Sequence, residues 1–99
     1  MRRAFVALLV AALPPTALAQ GSRPECIRVE AIVRWGADAY NHFVRVENRC
    51  DRRARCRVST NVNPEPQTIE VDAGQSVEVI TFRGSPAREH TPHVDCELL

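Results

Sequence analysis

The chain contains no lysine: its 13 basic residues are all arginines, set against 12 acidic ones. That near-neutral balance excludes the strongly basic surface of a general nucleic-acid binder. No Cys-x-x-Cys pair is present, which removes thiol oxidoreductase chemistry, and no Asn-x-Ser/Thr sequon occurs. The 4 glycines are scattered, so no glycine-rich phosphate loop can form. Ser22, Ser59, Ser76 and Ser85 all lie outside a Gly-x-Ser-x-Gly context, and no ordered nucleophile, base and acid accompanies them. Nothing here points to an enzyme. Aromatic residues are few, with 3 Phe, 1 Trp and 1 Tyr.

Long apolar runs are also lacking, with one short exception. Met1-Arg2-Arg3 is a positive start, Ala4 to Leu13 an apolar stretch, Pro14-Pro15 a break, and Ala17-Leu18-Ala19 a small-residue peptidase site. A stretch this short cannot cross roughly 30 Å of hydrocarbon. Residues 1–19 are therefore expected to be a cleavable secretion signal, cut between Ala19 and Gln20, with residues 20–99 forming a single domain. No cysteine follows the cut directly, so no lipid anchor and no membrane insertion are expected. The mature chain is expected in a periplasm or outside the cell.

A domain of this size buries only about 60% of the surface its unfolded chain exposes, so it needs covalent help. Cys26, Cys50, Cys56 and Cys96 supply it, with three possible pairings. The favoured pairing joins Cys50 to Cys56 across the polar DRRAR stretch and Cys26 to Cys96 from first strand to last. Rings of those sizes are worth roughly 2 to 4 kcal/mol each on the loop-closure argument.

Alternation defines the strands. From Cys26 to Trp35, the residues Ile27, Val29, Ala31, Val33 and Trp35 share one side. Residues 36–41 read as a turn or loop. In His42 to Cys50, the residues Val44, Val46, Asn48 and Cys50 point together. Ala54, Cys56 and Val58 share a face after the DRRAR turn, which makes the two middle strands look like a hairpin. Two prolines put residues 61–66 in a loop. Residues 67–71 and 76–82 form two further strands around the turn 72–75. A long polar loop covers 83–92, and a last strand spans 93–98. No helix-period stripe competes, so the fold is all-β, a sandwich or small barrel.

The stretch Val71-Asp72-Ala73-Gly74-Gln75-Ser76-Val77-Glu78-Val79 resembles the strand-opening segment of immunoglobulin-like sandwiches in secreted bacterial proteins. The resemblance implies a small disulfide-stapled sandwich of six or seven short antiparallel strands. It carries no functional residue with it. The Cys-Trp-Cys spacing of antibody domains is not met.

Three groups of residues are candidate sites. Arg49, Arg52, Arg53, Arg55 and Arg57 crowd the DRRAR region, and alternate arginines could bind anionic groups through paired guanidinium contacts. The plainer expectation is that they solvate an outer face and pair with Glu47, Glu70 or Glu78. His90 and His93, with Glu89 or Asp95, are the nearest approach to a metal cluster, although a loop holding Pro92 must bend specially to make them converge. Trp35 is expected to pack in the core and Phe43 to be the exposed aromatic, since Arg45, Glu47 and Arg49 share its face.

The leading expectation is a non-enzymatic exported module that contacts a protein or an anionic envelope polymer and carries no cofactor. A small metal-binding protein built on His90 and His93 is the alternative. A protease inhibitor presenting the loop 61–66 is the third.

Overall fold

Polar–apolar alternation persists along most of the chain and makes strands of it. The computed structural model describes residues 18–99, so the apolar core of the expected secretion signal lies outside the described residues. Six strands follow: β1 (Ile27–Gly36), β2 (Ala39–Asn48), β3 (Ala54–Thr60), β4 (Gln67–Val71), β5 (Ser76–Ser85) and β6 (Pro92–Leu98). They form two three-stranded antiparallel sheets, in the orders β1-β2-β5 and β4-β3-β6. The fold is an all-β, disulfide-stapled sandwich.

Its core is made of small side chains. Val44 and Val46 from β2 meet Ala54, Cys56 and Val58 from β3, Val71 from β4 and Val94 from β6, all shielded from solvent. A buried valine contributes about 1.5 kcal/mol or a little more. A core of this kind leaves much of the stability to polar and covalent ties.

Two sequence expectations are corrected here. β2 and β3 are not a hairpin: the chain leaves the first sheet after Asn48 and enters the second at Ala54. The disulfides consequently join Cys26 to Cys50 and Cys56 to Cys96, not Cys50 to Cys56 and Cys26 to Cys96. Cys26 and Cys50 flank the open end of the β1–β2 hairpin, where Arg49 N donates to Cys26 O at 2.9 Å, and their Cα atoms lie 5.1 Å apart. Cys56 and Cys96 stand directly opposite each other on β3 and β6, with Cα atoms 4.1 Å apart, as in the close non-hydrogen-bonded pairs of an antiparallel ladder. Each bridge therefore staples strands within one sheet. Two such bridges are the usual mark of a chain that folds in an oxidising compartment.

The turn or loop expected over 36–41 is a turn of two residues. Ala37 and Asp38 adopt φ values of 51° and 61°, the left-handed pair that matches the twist of a tight hairpin. With no glycine or asparagine at its centre the sequence does not mark how short the turn is, and β2 starts at Ala39 and not at His42.

Asn48 holds the crossover. Its side chain is fully buried, with Nδ2 donating to Arg52 O at 2.8 Å and Val71 O at 2.9 Å, and Oδ1 accepting from Cys50 N at 2.8 Å. Its backbone N donates to Gln75 O and its carbonyl accepts from Gly74 N. One residue thus ties β2, the crossover, the end of β4 and the turn before β5. Asn48→Ala would strand these buried donors and acceptors and should lower unfolding free energy by about 2–4 kcal/mol in a denaturant titration. A loss under about 0.5 kcal/mol, the range of an ordinary surface change, would contradict this role.

Candidate functional site

The arginines of the crossover and β3 are mostly committed. Arg53 Nε donates to Asp72 Oδ1 at 2.7 Å, and Arg55 reaches Glu70 at 3.1 Å and Glu97 at 3.5 Å. Arg49 Nε lies 2.8 Å from Glu47, and Arg52 Nε donates to the Leu99 carbonyl at 2.8 Å. Arg57 makes no ion pair among the described residues and sits in register between Thr68 and Asp95. It borders a shallow groove of about 480 Å³ shared with Ser22, Arg55, Thr68, Asp95 and Glu97. Asp95 accepts from Ser22 N at 2.8 Å, a bond that holds its carboxyl below the usual range. Charges of both signs alternate over this face, as expected of a solvated sheet surface.

The His90–His93 pair does not converge. His90 is buried between the sheets, whereas His93 projects outward from β6 with Nε2 3.2 Å from Asp95. Among the described residues no group of three or more His, Cys, Asp or Glu is placed to hold a metal ion. His90 instead stacks on His42, with ring centroids 4.3 Å apart and planes 12° from parallel. His42 Nε2 donates to Ala87 O at 2.7 Å and His90 Nε2 to Phe43 O at 2.9 Å. Both Nδ1 atoms are buried without a hydrogen-bond partner. The ring planes are nearly parallel, so the two Nδ1 atoms are not aimed at one ion. Sequence alone could not place His42 beside His90, because residues so far apart meet only when the 86–91 loop folds against β2.

The loop 61–66 is tied to its surroundings. Thr60 Oγ1 accepts from Val62 N and Asn63 N, and Asn63 Nδ2 donates to Thr81 O at 2.8 Å.

Trp35 is the main correction among the aromatics. Expected in the core, it is 62% exposed and meets Tyr40 edge-on at 4.8 Å. β1 and β2 run ten residues each, whereas β3, β4 and β6 span seven, five and seven, so the second sheet cannot cover the hairpin tip. Phe43, the expected exposed aromatic, is half-buried beneath the Arg34 guanidinium at 4.5 Å from its centroid. Phe82 is the second exposed ring.

The edges of the two sheets differ sharply. β6 is covered on its outer side by residues 20–22, which add a short parallel pairing through Gln20 N to Pro92 O, Val94 N to Gln20 O and Cys96 N to Ser22 O. Gly21 permits this contact: its φ is 110° and a Cβ there would fall 2.2 Å from Val94 O. β4 is only five residues long and follows Pro64 and Pro66. β5 is irregular against β2, and side chains from across the sandwich, Asn63 and Gln67, cap its Thr81 and Ile80 carbonyls. These are the ways in which sheet edges are usually blunted.

Among the described residues, β1 is neither shortened, capped nor covered. It is an edge strand, ten residues long, with no proline and no register shift. The bond from Arg49 N to Cys26 O marks the hydrogen-bonded pairs of the β1–β2 ladder, which therefore involve the even residues of β1. Val29, Ala31, Val33 and Trp35 consequently aim their N–H and C=O groups away from β2, toward the free edge. Their side chains lie on the inner face, where Val29 and Val33 are half-buried and Ala31 and Trp35 exposed.

No family model matches the chain, and no curated protein sequence matches it either.

The buried His90 imidazole gives stability a pH dependence. Desolvation pushes the His90 pKa below its ordinary value of 6.5, assisted by the neighbouring His42 and opposed by the bond to Phe43 O. The unfolded chain takes up a proton near pH 6.5 that folded His90 resists, so stability is full above that range and falls as pH drops toward the lowered folded value. Thermal melts between pH 8 and 5 should show Tm falling on the acid side, and the fall should be smaller in His90→Gln. An equal slope in that variant would remove His90 as the cause.

Proposed function

We propose that this protein is a non-enzymatic module, exported to a periplasm or beyond, that contacts another polypeptide by strand addition along β1. The observation that carries this reading is the contrast between edges: three are shortened, irregular or covered, while β1 presents an unblocked row of backbone donors and acceptors beside half-covered apolar side chains. Strand addition takes affinity from main-chain hydrogen bonds and selectivity from alternate side chains, and β1 offers both. Export is supported by the leading basic and apolar segments with their Ala-x-Ala site, and by the two disulfides.

A polypeptide partner is favoured over an anionic polymer by the charge on the other sheet. There Arg53, Arg55 and Arg57 face Glu70, Asp72, Asp95 and Glu97, which leaves no excess of positive charge to attract a polyanion. An immunoglobulin-like description is supported by the pairings, since β1-β2-β5 and β4-β3-β6 match, in chain order, strands A-B-E and C′-C-F of that sandwich.

Site-specific photocrosslinking in the exporting cell tests the reading. A photoreactive side chain at Arg28, on β1, should give an adduct with a polypeptide, while one at Thr68, on the opposite sheet, should not. Adducts from Thr68 alone, or an Arg28 yield unchanged by Ala31→Lys, would overturn it, because an inward-pointing charge on an edge strand blocks strand addition.

A further inference from the structure

The open edge of β1 carries its own complement. Taking as its basis the reading of β1 as a strand-addition edge, we infer that the partner is a second copy of this chain, paired antiparallel through β1 about a two-fold axis at Ile32.

The backbone restricts the registers. Two copies must bring outward-directed residues together, so Val29, Ala31, Val33 and Trp35 of one face the same set of the other. An axis at Glu30 would set Glu30 against its own copy. An axis at Ala31 would set Arg28 against Arg34. An axis at Val33 would leave Glu30 opposite Gly36 and Arg34 opposite Ile32. With the axis at Ile32, Glu30 of each copy stands opposite Arg34 of the other, and the two ion pairs flank an Ile32–Ile32 contact.

Side-chain placement on both faces agrees with that register. Glu30, Ile32 and Arg34 share the outer face and fall at non-hydrogen-bonded positions, where opposed side chains approach most closely. Glu30 is exposed, with only a 3.4 Å contact to Arg45, and Arg34 already bonds Glu78 on its other side. Ile32, Phe43 and Ile80 lie side by side in register across the sheet, each half-buried. Joined at Ile32, two such rows become one apolar stripe spanning six strands. On the inner face Trp35 of one copy comes to lie opposite Val29 of the other, and Ala31 opposite Val33. The side chains that the second sheet fails to cover are thereby covered by the second copy. A two-fold contact of this kind closes on itself and adds no further subunits.

Sedimentation velocity on the purified, disulfide-intact exported chain over a concentration series tests this. The wild-type chain should form a dimer. Glu30→Arg, which sets like charges together twice, should weaken it about tenfold, and Arg34→Glu should do the same. The double variant Glu30→Arg/Arg34→Glu restores opposite charges and should return the dimer to within about threefold of wild type. A dimer insensitive to the single changes, a double variant weaker than either single, or a dimer abolished by Arg57→Glu on the other sheet would each overturn the self-pairing. A wild-type chain that stays monomeric throughout would overturn it too; an Arg28 adduct with a different polypeptide would then leave strand addition standing, while loss of that adduct would remove both.

Discussion

The structure depends on the way the chain crosses between sheets at residues 48–54. A valine core in a domain this small has little surplus, so the alignment of the two sheets rests on directional contacts. Asn48 provides the densest set, since its amide and backbone hold the crossover, the last carbonyl of β4 and the turn before β5 together. A buried asparagine bonded on all of these sides also specifies its own position, because any slip leaves polar groups unsatisfied in a dry interior. The Cys26–Cys50 bridge locks the same end of the first sheet, and the Cys56–Cys96 bridge locks the central pair of the second.

That division of labour accounts for which features sequence could reveal. Alternation placed every strand, because one face of each meets the core and the period of two is a local property. The inward sets Val44, Val46, Asn48 and Ala54, Cys56, Val58 are buried as expected. Cysteine pairing was not legible. It depends on which strands share a sheet, and a polar stretch such as DRRAR serves equally as a hairpin turn or as a crossover. Trp35 was misread for a related reason: alternation gives the side of a strand that a residue occupies, but not whether the opposing sheet reaches that far. The histidine stack depends on the path of the 86–91 loop, for which no local pattern exists.

The functional reading follows from the same mismatch of lengths. Two ten-residue strands set against shorter ones leave the distal part of the hairpin without a cover, while the 86–91 loop is tied to β2 through Ala87 and His90. The uncovered groups are not a random remnant. Backbone donors and acceptors, half-covered valines and an exposed tryptophan fall along one line, while the arginine-rich sheet on the opposite side satisfies most of its charges internally. The surface richest in charge is thus the less available one for recognition, and the strand with little local distinction in the sequence becomes the proposed contact surface.

Amide hydrogen exchange along β1, read residue by residue by NMR on the exported chain at several concentrations, tests the open edge most directly. At the lowest concentration the amides of Val29, Ala31, Val33 and Trp35 should exchange fast while those of Glu30, Ile32 and Arg34 are protected by β2, and the fast set should become protected as concentration rises. Protection of both sets that does not change with concentration would mean that β1 is already covered within one chain, and would contradict the account.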